Sequence, residues 1–185
     1  MKTDRPTISF HASVRTRASR DAVYDVLADL STHLTWGGEQ TGEKQFRLLT
    51  VEQPGGAAVA GTRFSSTGLI PMGTFYDDSA VTQAVRGARF AFHTQSVLER
   101  KHGRPTWRGT FDHVYAIDGD ESGSTISYTC KAYADNYVAW WMTPLMSPMT
   151  RFNVQRTLTT CLRSLAAIAE ASEQTVRVSA AAGGA

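Results

Sequence analysis

The sequence contains five histidines, at positions 11, 33, 93, 102 and 113. Histidine changes its charge near neutral pH and is also a common metal ligand. No two of these histidines have the HxH or HxxxH spacing that would bring both rings to one metal ion, so the sequence predicts no metal site. What remains is acid–base chemistry or ligand contact by a single ring.

His113 is the histidine that the sequence predicts to lie on an apolar interior face. The segment "WRGTFDHVYAI", residues 107 to 117, alternates, so Phe111, His113 and Tyr115 share one side of a strand. Two roles are open for His113: a core histidine bonded to a neighbour such as Tyr128, or a general base or ligand contact. Asp112 cannot orient His113, because consecutive strand residues point to opposite faces.

Strand alternation also selects other inward-facing side chains. In "RFAFHTQS", residues 89 to 96, Phe90 and Phe92 share the apolar face, and His93 is expected to point to solvent. The same reasoning directs Phe64 and Tyr128 inward. These residues form the predicted wall of an interior site.

A second group of polar side chains lies at the start of the last predicted helix. Helical spacing places Arg151 and Gln155 on the face that carries Leu158 and Leu162. Two alternatives are open for Arg151. Its guanidinium either extends to water at the helix end, or reaches a cavity mouth and binds a carboxylate or stabilises an enolate.

Other familiar chemistries have no sequence support. The chain lacks a GxSxG motif, a GxGxxG motif after a strand and a phosphate-binding loop. No cofactor is therefore predicted.

The elements that must position these residues follow in a simple order. Residues 7 to 16 alternate as a strand, Ser19 is expected to cap a helix through residues 20 to 30, and a second short helix or turn ends at Gly37 and Gly38. About six strands with turn signals follow up to residue 134. A long amphipathic helix is predicted from about Pro148 to Ala171.

Composition limits the function classes. A chain of 185 residues with a net charge of +2 has no electrostatic footprint for nucleic acid, so none is predicted as a partner. Cys130 and Cys161 are far apart and are expected to be reduced, buried thiols. The N-terminus lacks the apolar run of a signal peptide, and no segment is long enough to span a membrane, so a cytoplasmic location is expected.

Four stretches are informative together with this order of elements: "ASRDAVYDVLADLSTHLTW", "YDDSAVTQAVRGARFAF", "GSTISYTCKAY" and "PLMSPMTRFNVQRTLTTCLRSLAAIAEA". They resemble the START-like or SRPBCC (helix-grip) superfamily, in particular its polyketide cyclase/dehydrase and lipid-transport branch, with Trp36 at the family's tryptophan position. The resemblance implies an α+β helix-grip fold: a curved antiparallel sheet of about six or seven strands around a long C-terminal helix, with two short helices after the first strand. It covers residues 7 to 172, with a tail at residues 1 to 6 and a disordered tail at 173 to 185.

The resemblance also implies a function: binding of a hydrophobic small molecule, lipid or polyketide-like, in an internal cavity, as a carrier or sensor. The alternative is an aromatase or cyclase, in which His113 takes a proton, Arg151 holds the oxyanion, and Tyr128 or Gln155 orients a carbonyl. The predicted ligand-binding residues combine the inward faces with the helix and its approach: Trp36, Phe64, Phe90, Phe92, Phe111, Tyr115, Tyr128, Trp140, Trp141, Met146 and Gln155.

The segment "DNYVAWWMTPLMSPMTRFN", residues 135 to 153, is interrupted by Pro144 and Pro148 and is too short for a membrane span. In the implied fold it crosses the cavity entrance, where Trp140, Trp141 and Met146 would form an adaptable apolar rim. Static packing beneath the helix is the alternative. Contact with a membrane surface has little support, because basic residues are not clustered.

Overall fold

The computed structural model describes residues 8–38, 46–101, 106–120, 122–134 and 148–182. The predicted tail at residues 1 to 6 and the predicted rim residues Trp140, Trp141 and Met146 lie outside these ranges. The same is true of the side chain of Arg151.

The described part of the chain contains a single antiparallel sheet of seven strands, in the order β1-β7-β6-β5-β4-β3-β2. The strands are β1 Ile8–Thr16, β2 Arg47–Glu52, β3 Arg63–Ile70, β4 Gly73–Val85, β5 Arg89–Arg100, β6 Trp107–Asp120 and β7 Gly123–Ala134. Strands β2 to β7 form a meander, and β1 closes the far edge by pairing with β7 from Ile8↔Ala132 to Thr16↔Ser124. The sheet is curved, and its concave face carries the alternating apolar residues.

Two short helices follow β1. Helix α1, Arg20–Ala28, begins where the Ser19 hydroxyl accepts a hydrogen bond from the backbone N–H of Ala22, as the sequence predicts. A single 3-10 turn, Leu30–Thr32, leads into α2, His33–Gly37, which ends at Gly38.

Helix α3, Pro148–Ala182, has 35 residues and is the longest element. The predicted end near Ala171 is too early, and residues 173 to 182, which the sequence predicts to be disordered, are helical. No proline or glycine interrupts this stretch, and Glu173 forms an ion pair one turn on with Arg177 at 2.9 Å. Residues 173 to 182 therefore stay helical because their own helix propensity is sufficient.

The sheet and α3 enclose the core, and α1 closes one end of it. Leu27 and Leu30 from the first helices, Phe90 and Ile126 from the sheet, and Leu165 from α3 are each fully buried. Cys130 and Cys161 are both buried, as expected. The predicted architecture of a curved sheet around a long C-terminal helix is confirmed.

Among the described helices, none has the length and apolar character needed to cross a bilayer.

Candidate functional site

A cavity of about 340 Å³ lies between the concave face of the sheet and α3. Most of its wall is aromatic or aliphatic, and small-molecule sites in proteins begin at about this size. Helix α3 contributes Val154, Thr157, Leu158, Cys161 and Leu162. The aromatic part of the wall consists of Phe10, Trp36, Phe46, Phe64, Phe75, Phe92, Trp107, Phe111, Tyr115 and Tyr128.

The structure brings most of the described residues predicted to bind ligand to this one wall. They are Trp36, Phe64, Phe92, Phe111, Tyr115 and Tyr128, together with His113. Trp36 is held by a hydrogen bond from its indole N–H to the Thr32 hydroxyl at 3.3 Å and by an edge-to-face contact with Tyr115. Contact of these residues with a ligand stays a prediction.

Phe90 faces the predicted side of β5 but does not line the cavity. It is fully buried, and its ring meets Tyr24 of α1 edge-on, with ring centroids 6.4 Å apart. Helix α1 covers this end of the sheet, so Phe90 belongs to the packed core, and its predicted contact with a ligand is not supported by its position.

Gln155 is exposed to solvent and is absent from the cavity wall. The buried face of α3 runs through Thr157, Cys161, Leu165 and Ala169, and Gln155 lies at the edge of this face, close to the helix start. The prediction that Gln155 reaches the ligand is therefore not supported by its position.

His113 makes the contact that the core alternative requires. Its Nδ1 lies 2.7 Å from the Tyr128 hydroxyl, and its ring stacks on Phe92 with centroids 4.5 Å apart. Burial lowers the pKa of His113 to about 4, because the surroundings solvate an imidazolium poorly. Burial raises the pKa of Tyr128 well above its usual value. Both groups are neutral at pH 7, and the burial that lowers its pKa makes His113 a weak base there.

Asp112 lies on the outer face of the sheet, as strand alternation predicts. Its carboxylate pairs with His93, with 2.7 Å between Oδ1 and Nδ1, and both side chains are partly exposed. No carboxylate is therefore placed by β6 to orient His113.

His33 is a second cavity histidine that the sequence analysis did not select. It is 4% exposed, and its ring packs on Trp36 with centroids 4.6 Å apart. Its Nε2 lies 3.0 Å from the Leu27 carbonyl, and because a carbonyl only accepts, Nε2 carries the proton. Burial lowers the pKa of His33 to about 4. The i, i+3 spacing of His33 and Trp36 was the available signal.

Asp77 is the other residue of the wall that sequence reasoning missed. It lies on β4 directly opposite Ser66 of β3 and Ser96 of β5, and the Ser96 hydroxyl donates to one carboxylate oxygen. The other oxygen, Oδ1, is buried and has no hydrogen-bond partner among the described residues. Burial is the main cause that raises the pKa of Asp77 to about 6, and Asp78 adds a smaller effect in the same direction.

A continuous polar patch surrounds Asp77 in the otherwise apolar wall. Ser66 and Ser96 belong to this patch. Next to them, the hydroxyls of Ser79 on β4 and Thr94 on β5 form a hydrogen bond of 2.9 Å. The signal in the sequence was the alternation of Phe75, Asp77, Ser79 and Val81.

A smaller hollow of about 160 Å³ lies on the outer face of the sheet, beside the irregular pairing of β4 between Val81 and Gln83. Its wall includes the charged residues Arg89, Asp112 and Lys131. This hollow is smaller and more polar than the inner cavity, so it fits an apolar ligand less well. Within the described ranges, no group of three histidine, cysteine or acidic side chains is placed to hold a metal ion.

Solved structures share this architecture at low sequence identity. Protein CV1439 from Chromobacterium violaceum has a TM-score of 0.57 and 15% identity over 88% of this chain and 96% of its own. Protein NE0264 from Nitrosomonas europaea has a TM-score of 0.58 and 11% identity over 91% and 97%. The crystal structure of Ara h 8.0201 has a TM-score of 0.56 and 8% identity over 89% and 98%.

No protein-family model and no curated protein matches the sequence. The structural likeness extends over nearly the full length of each of these proteins, and at such identities it establishes the fold alone. The chain has the helix-grip fold.

Proposed function

We propose that this protein binds a hydrophobic small molecule, lipid or polyketide-like, in the cavity between the sheet and α3, as a carrier or sensor. The observation that carries the proposal is the cavity itself, which is about 340 Å³ in volume and walled mainly by aromatic and aliphatic side chains. A protein interior is normally packed without such a space, so a cavity of this size in the core of the fold needs an explanation. Ligand binding supplies one.

Binding is proposed ahead of catalysis because the cavity wall is mainly aromatic and aliphatic. Of the residues predicted for an enzyme, Gln155 is exposed to solvent, and the side chain of Arg151 lies outside the described residues. His113 and Tyr128 remain as a neutral pair in the wall.

The test is uptake of the fluorescent apolar probe 1-N-phenylnaphthylamine by the purified protein, with mass spectrometry of any molecule retained from expression. The proposal expects saturable, one-to-one uptake that retained or added lipids displace. Absence of uptake for this probe, together with no retained ligand, would contradict binding in the cavity.

Two substitutions on α3 locate the bound probe. Leu158 faces the cavity, so Leu158→Trp is expected to occupy part of its volume and to weaken uptake at least tenfold. Phe152 is 66% exposed on the same helix, so Phe152→Trp adds a similar indole outside the cavity and should leave uptake unchanged. Equal effects of the two substitutions would place the probe elsewhere.

The second candidate is a polyketide aromatase or cyclase, and the contact between His113 and Tyr128 favours it. In this candidate the cavity would hold a folded poly-β-ketone in position, and the His113 imidazole would remove a proton from the carbon between two carbonyls, a step for which its lowered pKa makes it a weak base. The expected discriminating result is that His113→Ala abolishes cyclisation of such a substrate while its dissociation constant changes little. A carrier would show a change in affinity and no turnover in either protein.

A further inference from the structure

Asp77 is the one carboxylate that the described residues place in the cavity wall. Its two flanking positions across the sheet are Ser66 and Ser96, and only Ser96 is a hydrogen-bond partner of its carboxylate. Its Oδ1 is buried and has no hydrogen-bond partner among the described residues, and the residue belongs to the cavity wall.

No positive charge in the described wall compensates this carboxylate. The wall contains neither lysine nor arginine among the residues that the structure describes. The other titratable groups that face the cavity come from α2, β6, β7 and α3, and they are His33, His113, Tyr115, Tyr128, Cys130 and Cys161.

These neighbours do not supply charge near neutral pH. Burial lowers the pKa of both histidines to about 4, raises the pKa of Cys130 to about 12, and raises the pKa values of Tyr115 and Tyr128 far above neutrality. On the outer face Asp78, the next residue of β4, disfavours ionisation of Asp77 further.

An ionised carboxylate with an unpaired, buried oxygen and no counter-charge destabilises the empty protein, and an asparagine of nearly the same shape removes that charge. Perturbed carboxyl groups in cavities are typical of sites that receive a complementary group from a ligand. An apolar ligand with a donor group at one end would complete the hydrogen bonds of Asp77 and fill the aromatic part of the wall.

We propose that the ligand carries a hydrogen-bond donor on an otherwise apolar body, and that Asp77 binds this donor. This inference rests on the proposed binding function and specifies its ligand class. A protonated amine fits best because it adds charge compensation, a hydroxyl fits next, and a carboxylate fits worst because it repels Asp77.

The test compares three ligands with the same ten-carbon chain: decylamine, decanol and decanoate. Each displaces 1-N-phenylnaphthylamine from the protein at pH 7.5, which gives its dissociation constant. We expect decylamine to bind about tenfold to a hundredfold more tightly than decanoate, with decanol between them, as for hydrogen bonds to charged groups.

Asp77→Asn and Asp78→Asn form the matched pair of variants. Both remove one negative charge from the same strand, but Asp78 is exposed on the outer face. Asp77→Asn is expected to reduce the preference for decylamine over decanoate to within about threefold, and Asp78→Asn is expected to retain it. In the unsubstituted protein the preference should also decline as the pH falls below about 6, where Asp77 becomes protonated.

Three results would overturn the inference. The first is decanoate binding as tightly as decylamine, and the second is an unchanged amine preference in Asp77→Asn. In both cases uptake of the probe and of decanol persists, so binding in the cavity stands and only the ligand class is wrong. The third is that neither the probe nor any decyl ligand binds, which removes the proposed function and this inference together.

Discussion

At the scale of single residues, three buried titratable groups make the stability of this protein depend on pH in opposite directions. His33 and His113 bind protons more weakly in the folded protein than in the unfolded chain, because burial lowers each pKa from 6.5 to about 4. Asp77 binds a proton more tightly when folded, because burial raises its pKa from 3.8 to about 6. As the pH rises from 4 to 6, the histidines therefore add stability and Asp77 removes it.

The variant Asp77→Asn should remove the contribution of Asp77 to this pH dependence. Above pH 6 the ionised carboxylate destabilises the fold, so the variant is expected to be more stable by on the order of 2 to 3 kcal/mol at pH 7.5. At pH 3, where Asp77 is protonated in the folded state and largely protonated in the unfolded chain, the difference should nearly vanish. Urea unfolding at a series of pH values measures the stability difference at each pH. A variant that is less stable than the unsubstituted protein at pH 7.5 would contradict the raised pKa of Asp77.

Tyr128→Phe tests the hydrogen bond to His113. Removing the hydroxyl leaves Nδ1 of a buried imidazole without its partner, which is expected to lower the free energy of unfolding by about 1 to 2 kcal/mol. Tyr76→Phe is the matched control, because the Tyr76 hydroxyl bonds Glu99 at 3.3 Å on the exposed face. Its loss should cost less than about 0.5 kcal/mol in the same urea titration.

At the scale of elements, two carboxylates of α3 form hydrogen bonds with the turn between β1 and α1. Glu170 accepts hydrogen bonds from the Thr16 hydroxyl at 2.7 Å and the Arg17 backbone N–H at 2.8 Å, and Glu173 accepts one from the Ser19 N–H at 2.9 Å. These bonds lower the pKa of both carboxyl groups. They connect α3 to the chain directly before α1, and so help to fix the position of α3 against the sheet.

Glu170→Ala is expected to destabilise the protein by about 1 to 2 kcal/mol at pH 7. Because the folded pKa of Glu170 is lowered, its contribution is present at neutral pH and is lost as the pH falls below its ordinary value of 4.5. Gln174→Ala, at an exposed position of the same helix, controls for helix propensity and should change stability little. Equal effects of the two substitutions in urea unfolding would argue against a stabilising role of the Glu170 hydrogen bonds.

At the scale of the whole molecule, the cavity makes stability depend on occupancy. A ligand that binds only the folded state adds about 2.7 kcal/mol when its free concentration is a hundred times its dissociation constant. For a chain of this size that corresponds to a rise in Tm of about 5 to 10 °C.

Decylamine at such a concentration should produce this rise in differential scanning fluorimetry. The matched protein is Leu158→Trp, whose cavity is partly filled, and its Tm should rise much less at the same ligand concentration. A rise of equal size in both proteins would indicate that decylamine stabilises the fold from outside the cavity.

The sequence alone determined the features that depend on local periodicity. A side-chain period of two along β6 is enough to direct His113 inward and Asp112 outward, and both positions are confirmed. Ser19 as an N-cap and the apolar face of α3 follow from local chemistry in the same way. The order of these elements, together with the resemblance, then predicted a sheet around a final helix.

Only the tertiary structure decided which inward-facing residues border the cavity and which are packed solid. Phe90 and Phe92 share a face of β5, yet α1 covers Phe90, and the cavity reaches Phe92. Asp77 gains its unusual environment because β3 and β5 bring Ser66 and Ser96 beside it, in the wall of the cavity. Alternation along a strand tells which face a residue takes, but space, burial and partners depend on where distant elements lie across the sheet.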